Sequence, residues 1–211
     1  MTAATPRRQR NHRILEVLAV VLLGVATIGS AWCGYQATRW NGEENQLARR
    51  ASDLQVEAAR EFGLATQIVS YDSNMIAQYA RAVSEGDERL QQFFKDSLIR
   101  PAFLPTLEQW EQEVVDGGSP RNLISDEEYL DEQLSGYRDT EARAQAMTVE
   151  AEEASSNADD YVLTTLLLAS ALFFAGLTTS FRVRFAQLML LGGSVVLIAY
   201  AASRLADLPI A

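Results

Sequence analysis

The sequence predicts an all-α membrane protein with three transmembrane helices and a long extracytoplasmic antiparallel helical hairpin of coiled-coil type. Three observations predict this class: long apolar segments at both ends of the chain, arginines beside those segments, and helical spacing of apolar residues between them. The charges are also divided unevenly along the 211 residues. Residues 34–160 carry 11 basic and 26 acidic side chains, whereas the two ends are weakly basic.

The apolar segments are residues 14–33, 161–180 and 185–202. A bilayer core is crossed by about 20 helical residues, so each segment is long enough for a transmembrane span. Glu16 is the one charge in the first span, the second span has none, and Gln187 is the most polar residue of the third. Only residues 181–184 separate the second span from the third, which predicts a membrane hairpin.

Arginines near the spans predict their direction, because positive residues favour the cytoplasmic side. The tail 1–13 and the turn 181–184 supply these topology determinants: Arg7, Arg8, Arg10, Arg13, Arg182 and Arg184. Both clusters place the N-terminus in the cytoplasm, and they place residues 34–160 and 203–211 outside it. The alternative is a signal peptide cleaved near Ser30, but the apolar run of about 18 residues exceeds the usual h-region.

Apolar residues recur every three or four positions after the first span, which predicts a helix in the middle block. This stripe is interrupted by Asp72 alone, and we expect the helix to end near Gly86. A second stripe runs without interruption into the second span, after a loop at 117–120 and a capping box of Ser125 and Glu128. The first stripe is Leu47, Ala51, Leu54, Ala58, Phe62, Ala65, Val69, Ile76, Tyr79 or Ala80, and Val83. The second is Leu130, Leu134, Tyr137, Ala144, Met147, Ala151, Ala154 and Ala158.

The segment between these helices is expected to be broken. Residues 86–100 fold back along the first helix, and Pro101 and Pro105 interrupt the chain because proline disrupts a helix interior. Residues 106–116 then run in the opposite direction. We expect the apolar residues here to form one small cluster: Leu90, Phe93, Phe94, Leu98, Phe103, Leu104, Leu107 and Trp110.

Few residues suggest chemistry. The single histidine, His12, cannot make a two-histidine metal site or an extracytoplasmic triad. Cys33 is expected to be a buried thiol, although a bridge between two copies is an alternative. The carboxylate clusters lie on helix faces away from the apolar stripes, and solvated surface explains them better than Ca²⁺ binding. We therefore expect no enzyme activity, no cofactor and no metal, and the acidic block disfavours nucleic acid.

Two further groups of residues fit the membrane interpretation. Trp32, Tyr35 and Trp40 lie where the first span ends and are expected to anchor it at the interface. Small residues allow membrane helices to approach closely, either within the chain or between copies. These helix-packing residues are Ala26, Ser30, Gly34, Gly192 and Gly193.

The stretch Ala31-Trp32-Cys33-Gly34-Tyr35-Gln36-Ala37 follows the first span, and a tight turn at 181–184 joins the other two. Together they resemble an uncharacterised bacterial family of three-span membrane proteins, a domain of unknown function. The resemblance implies an inner-membrane location and the three-span layout. It implies no catalytic or ligand residue, and the strongly acidic middle block departs from the family.

The sequence therefore favours an integral membrane structural or interaction protein without enzymatic activity. Its expected partners are the lipid bilayer and either a second copy of itself or another membrane protein. Two alternatives remain open: a homo-oligomeric pore lined by the second or third span, and a sensory accessory subunit that acts through a partner.

Overall fold

The structure is a computed structural model that describes residues 6–117, 124, 126–178, 180–181 and 183–211. The described chain is all-helical, without a strand, as predicted. It divides into two compact units. The terminal unit comprises Met1–Arg49 and Met147–Ala211, and the central unit comprises Arg50–Ala146.

Helix α1 extends over 80 residues, Pro6–Glu85, without a break. This confirms that one helix continues from the first apolar segment into the acidic block. The helix ends in a Schellman motif, in which the amide of Asp87 donates to the carbonyl of Ala82 and that of Gly86 to the carbonyl of Val83. Gly86 adopts a φ of 71°, a left-handed conformation that glycine takes without a Cβ clash.

Short helical segments follow in the central unit. They are α2 (Glu88–Phe93), a π-helical turn (Phe94–Leu98), a 3-10 turn (Pro101–Phe103) and α3 (Leu104–Val115). Asp87 caps α2 by accepting a hydrogen bond from the amide of Leu90 at 3.0 Å. Ile99 and Arg100 adopt an extended conformation, which ends the helical segment directly before Pro101. A helical conformation is disfavoured for the residue that precedes a proline.

Contacts along α1 show the direction of these segments. The hydroxyl of Tyr71 donates to the carbonyl of Leu98 at 2.6 Å, and Phe94 packs edge-on against Tyr79 at 6.4 Å between ring centroids. Residues 94–98 therefore run back along α1. Glu111 of α3 contacts Tyr79 again, so α3 runs in the opposite direction. Both turns of the middle segment are confirmed.

The core of the central unit forms where these segments meet α1 and the beginning of α4 (Glu127–Thr178). Two predicted members, Leu90 and Phe93, are instead exposed, because they belong to the short α2, none of whose residues is buried. Antiparallel packing of α1 on α4 within this unit follows from two pairs, Phe62 with Tyr137 and Asp72 with Tyr129. The buried core residues are Tyr79, Phe94, Ile99, Phe103, Leu107, Trp110 and Tyr129.

Helix α4 continues from the acidic block through Tyr161 to Thr178, as predicted. Its N-cap is Asp126, whose Oδ1 accepts hydrogen bonds from the amides of Glu128 and Tyr129. The predicted cap, Ser125, lies outside the described residues, as does the loop at 118–120. Helix α5 comprises Arg184–Asp207.

In the terminal unit, α4 packs against both α1 and α5. A Cβ added to Gly29 of α1 would lie 3.0 Å from Leu168 of α4, so this glycine permits close approach of the two helices. Ser194 of α5 donates to the carbonyl of Ala171 at 3.0 Å, and Gln187 donates to the carbonyl of Phe181 at 2.8 Å. The first of these bonds joins two helices, and the second holds the turn between them.

Helix α5 extends to Asp207, five residues past the end of the predicted third span at residue 202. The helix continues because Arg204 pairs with Asp160 at 2.5 Å. It ends where Leu208 adopts an extended conformation before Pro209, as expected of a residue that precedes proline. Most of the predicted tail 203–211 is thus helical.

Within the part of the chain that the structure describes, three helices are long and apolar enough to cross a membrane. They are α1 in its part from Glu16, α4 and α5. This agrees with the three apolar segments of the sequence and is compatible with a multi-pass membrane protein.

Candidate functional site

The three predicted anchors occupy two different environments. The rings of Trp32 and Tyr35 lie side by side with centroids 6.0 Å apart, and about half of each side chain is exposed. Trp40 is half-buried, and its indole N–H donates to the carbonyl of Pro209 at 3.2 Å. The exposed rings of Trp32 and Tyr35 can contact whatever surrounds the protein. Trp40 instead forms a hydrogen bond with Pro209, close to the end of the chain.

Residues 208–211 are bound to α1 and α4 in the terminal unit. The hydroxyl of Tyr161 donates to the carbonyl of Pro209 at 3.0 Å, so this carbonyl accepts two side-chain hydrogen bonds. The amide of Ala211 donates to Oε1 of Gln36 at 3.1 Å, and the Gln36 side chain is only 1% exposed. The sequence did not predict these hydrogen bonds, because residues such as Gln36 and Ala211 are 175 positions apart.

The five small residues expected to mediate helix packing are placed differently from one another. Ala26 is fully buried, Ser30 is half-buried, and Gly193 faces Phe174, which a Cβ would meet at 4.0 Å. Gly34 and Gly192 are exposed, and an added Cβ there would meet nothing within 4 Å. Gly34 and Gly192 are therefore positions without a side chain on the exposed surfaces of α1 and α5.

Of the predicted topology determinants, only Arg184 lies among residues whose side chains the structure describes. The side chains of the four N-terminal arginines, that of His12, and Arg182 lie outside the described part of the chain. Cys33 is fully buried in the terminal unit beside Ala37 and Tyr161, as expected of a buried thiol.

The central unit contains a buried ionic cluster around Asp72, the residue that interrupts the apolar stripe of α1. The Asp72 side chain is 2% exposed and accepts hydrogen bonds from both sides. Arg100 donates from Nε to Oδ1 at 2.9 Å and from Nη2 to Oδ2, while the hydroxyl of Tyr129 donates to Oδ2 at 2.7 Å. The carboxylate therefore ties α1, the segment before Pro101 and α4 to one another.

The electrostatics of this cluster follow from its geometry. The hydrogen bond to Asp72 raises the pKa of Arg100, so its guanidinium stays charged. Burial, together with the hydrogen bond to the same carboxylate, raises the pKa of Tyr129 above its ordinary value of 10.0. The tyrosine hydroxyl therefore keeps its proton and remains a donor.

A second polar group joins α1, the π-helical turn and α3. Nζ of Lys95 pairs with Glu111 at 2.6 Å and lies 5.8 Å from the centre of the Tyr79 ring. The hydroxyl of Tyr79 donates to the same Glu111 carboxylate. Burial, then the nearby carboxylate, raises the pKa of Tyr79. The hydroxyl thus stays protonated, as that of Tyr129 does.

An open groove of about 310 Å³ lies between α1 and α4 in the central unit. Its floor is formed by alanines, including Ala58 and Ala144, and its walls carry the partly exposed rings of Phe62 and Tyr137. Phe62 was expected in the buried stripe, but it is 48% exposed because the flanking alanines occupy the narrow helix contact. The groove is open to the surface and is lined mainly by apolar side chains.

The carboxylate clusters are mostly surface, but two of their members have a defined role. Asp126 caps α4, and Asp160 forms the ion pair that fixes the end of α5. No group of three His, Cys, Asp or Glu side chains that could hold a metal ion occurs among the described residues searched. No protein-family model, no curated protein and no solved structure matches the chain.

Proposed function

We propose that this chain is an integral membrane protein with three helical spans whose extracytoplasmic block serves as a helical interaction module. The spans are the apolar parts of α1, α4 and α5. The positive-inside rule, applied to the arginines of residues 1–13 and 181–184, supports a cytoplasmic N-terminus. Residues 34–160 then lie outside the cytoplasm, in an antiparallel hairpin of coiled-coil type.

One observation carries the proposal: the terminal unit exposes most of its large apolar side chains and buries mainly small and polar ones. A helix in water would bury these large residues, whereas lipid tails solvate them and reward close packing of small ones. Exposed examples with more than 60% accessible surface are Val17, Val20, Ile28, Phe173, Val183, Phe185, Met189 and Val196. Buried examples are Ala19, Ala26, Gln36, Thr164, Ala171, Ala175, Thr178 and Ser194.

Hydrogen bonding within the spans supports the same proposal. The hydroxyls of Thr164 and Thr178 donate to carbonyls one turn earlier, at 2.8 Å and 3.0 Å. Ser194 donates across to α4. Polar groups within a bilayer need partners inside the protein, because the lipid core offers none.

The interaction role rests on the central unit. Its buried ionic groups tie short segments to two long helices and leave no open catalytic arrangement among the described residues. Its surface still carries exposed apolar residues on α1, with Val56 at 70% and Leu64 at 50%. These two residues are eight positions apart, about two turns along the helix, and both lie on its exposed half. We propose that this face binds a second copy or another membrane protein.

A pore has less support than an interaction module. The exposed side chains on α4 and α5 are mostly large and apolar, among them Leu166, Phe173 and Leu188. A water-filled lumen needs polar surface, whereas the hydroxyls of Thr164 and Ser194 are buried within one chain. We also keep as a proposal the relation to the uncharacterised three-span family, which assigns no activity.

Membrane insertion is tested by reconstitution of the purified full chain into lipid vesicles, followed by flotation and alkaline carbonate extraction. We expect the chain to float with the vesicles and to resist extraction. Recovery of the chain in the soluble fraction would contradict the proposal.

The interaction role is tested by native mass measurement of wild type, Val56→Glu and Leu64→Glu. We expect each substitution to dissociate a self-associated species, because it places a charge in an apolar interface. Ser73→Glu is the matched control, since it adds the same charge to an exposed position on another side of α1. If all four proteins are monomeric, self-association through this face is wrong, and crosslinking in native membranes tests for a different partner.

A further inference from the structure

One exposed face of α1 changes in character along the helix, from aliphatic to aromatic to charged. Residues spaced three or four apart share this face. Its aliphatic part consists of Val17, Val21, Val25 and Ile28, each more than half exposed. The aromatic pair Trp32 and Tyr35 comes next, followed by Arg39 and Glu43.

The charged end of this face lies in a cleft of about 540 Å³ in the terminal unit. Arg39, Glu43 and Gln46 line it from α1, and Ala211 borders it. Ala211 is held there by the hydrogen bond from its amide to Gln36. Ala211 thus forms one wall of the cleft, on a surface of α1 that is otherwise exposed.

Arg39 and Glu43 are the charged groups available to a ligand in this cleft. Neither makes an ion pair or hydrogen bond with any residue that the structure describes. Two other donors that line the cleft are occupied, since the Trp40 indole donates to the carbonyl of Pro209 and the Thr38 hydroxyl donates to the carbonyl of Gly34. The charged side chains that line the cleft are therefore one cation and one anion, about 6 Å apart along the helix axis.

We propose that this cleft binds the headgroup of a phospholipid that carries both a phosphate and a primary ammonium, of the phosphatidylethanolamine type. The inference rests on the proposed membrane insertion of α1. Arg39 binds the phosphate, because guanidinium groups match phosphate oxygens well. Glu43, one turn farther from the aliphatic part, accepts hydrogen bonds from the ammonium.

The order of groups along α1 supports this orientation. In such a lipid the acyl chains come first, then the phosphate, then the ammonium. On α1 the aliphatic residues come first, then the interfacial aromatics, then Arg39 and finally Glu43. An anionic headgroup without an ammonium would satisfy Arg39 but leave the Glu43 carboxylate without a cationic partner.

Lipid retention by the full chain tests the proposal. The protein is reconstituted in vesicles that contain equal amounts of phosphatidylethanolamine and phosphatidylglycerol, extracted in mild detergent, and weighed by native mass spectrometry. We expect phosphatidylethanolamine to be retained about three- to fivefold over phosphatidylglycerol, the ratio expected for one exposed ion pair. Arg39→Gln should lose both lipids, and Glu43→Gln should lose the preference.

Two matched controls are available on the same helix. Glu44→Gln changes the neighbouring acid, which lies on another side of α1, and Arg49→Gln removes an exposed arginine about 15 Å along the axis. Both should retain the wild-type lipid ratio. Equal retention of the two lipids by wild type, or an equal effect of Glu43→Gln and Glu44→Gln, would overturn the proposal.

Two further arms separate the remaining explanations. Soluble glycerophosphoethanolamine at the same concentration should not displace the lipid; complete displacement would show that the cleft binds a free headgroup. A chain that inserts into vesicles but retains no lipid overturns this inference alone. A chain that does not insert overturns the proposed function as well.

Discussion

At the scale of single residues, Asp72 has the clearest structural role in the central unit. Its buried carboxylate accepts hydrogen bonds from Arg100 and Tyr129, which come from two different segments. A buried charge is strongly unfavourable unless it is paired and hydrogen-bonded. Removal of its charge therefore leaves the Arg100 guanidinium without its partner.

We expect Asp72→Asn to lower the free energy of unfolding by about 1–3 kcal/mol, the cost of an unsatisfied buried polar group. Thermal unfolding of the full chain in detergent, followed by circular dichroism, measures the change. Asp53→Asn is the control, because Asp53 is exposed on the same helix. Equal melting temperatures for the two variants would show that the cluster does not stabilise the unit.

The position of Asp72 could be predicted from the sequence, but its partners could not. It is the only polar residue within the apolar stripe of α1, and that pattern already indicates a buried carboxylate. Arg100 and Tyr129 are 28 and 57 positions away, and nothing in the local spacing connects them. Gln36 and Tyr161 were missed for the same reason.

The two buried tyrosines predict a loss of stability in alkali. The pKa of both Tyr79 and Tyr129 is raised above 10.0 in the folded chain, first by burial and then by a carboxylate partner. In the unfolded chain these tyrosines lose their protons near the ordinary pKa, so unfolding releases protons above about pH 10. The stabilisation is complete below pH 10 and falls as the pH rises above it.

Melting temperatures measured between pH 8 and pH 11 test this expectation. Wild type should lose stability steeply above about pH 10, and Tyr79→Phe with Tyr129→Phe should flatten that slope. The double variant has a lower stability at pH 8, because it lacks two hydrogen bonds to carboxylates. Parallel slopes in both proteins would contradict the assignment.

At the scale of elements, the end of α1 is set by one glycine. Gly86 takes a left-handed φ of 71°, and the Schellman hydrogen bonds depend on that conformation. The chain can reverse here and return along α1. The sequence predicted this boundary correctly, because glycine is the usual residue at a helix C-terminus.

Gly86→Ala and Gly63→Ala should change stability in opposite directions. Alanine at position 86 is forced into the left-handed region, at a cost of about 1–2 kcal/mol. Gly63 lies inside α1 with open space for a Cβ, so alanine there should stabilise by about 0.5–1 kcal/mol. Chemical or thermal unfolding measures both changes, and a loss of stability in both variants would contradict the description of these two positions.

Helix continuity was the easiest part of the fold to predict, and the helix ends were harder. Without proline between Pro6 and Pro101, nothing prevents α1 from reaching Gly86. Helix α5 instead extends past the predicted span end, since its last turn is held by the ion pair of Arg204 with Asp160. Hydropathy indicates where lipid would end, but a helix continues as long as its polar groups find partners.

At the scale of the whole molecule, hydropathy and burial support the same account of the terminal unit. Sequence patterns predict which segments are apolar, and the structure adds that most of the large apolar side chains face outward. Ile28 and Phe185, for example, are 73% and 72% exposed, whereas Ala26 and Ala201 are fully buried. No local sequence pattern distinguishes an outward from an inward apolar residue when all sides of a helix are apolar.

The membrane topology is the central claim, and single-cysteine labelling in osmotically permeabilised cells tests it most directly. The background is Cys33→Ala, which removes the one native thiol. Asp116→Cys in the central unit and Val183→Cys between α4 and α5 are both at exposed positions. A membrane-impermeant maleimide added from outside should label residue 116 while the inner membrane is still intact and residue 183 only after that membrane is lysed. Labelling of residue 183 but not residue 116 from outside would reverse the topology, and labelling of neither before lysis would contradict the extracytoplasmic location of residues 34–160.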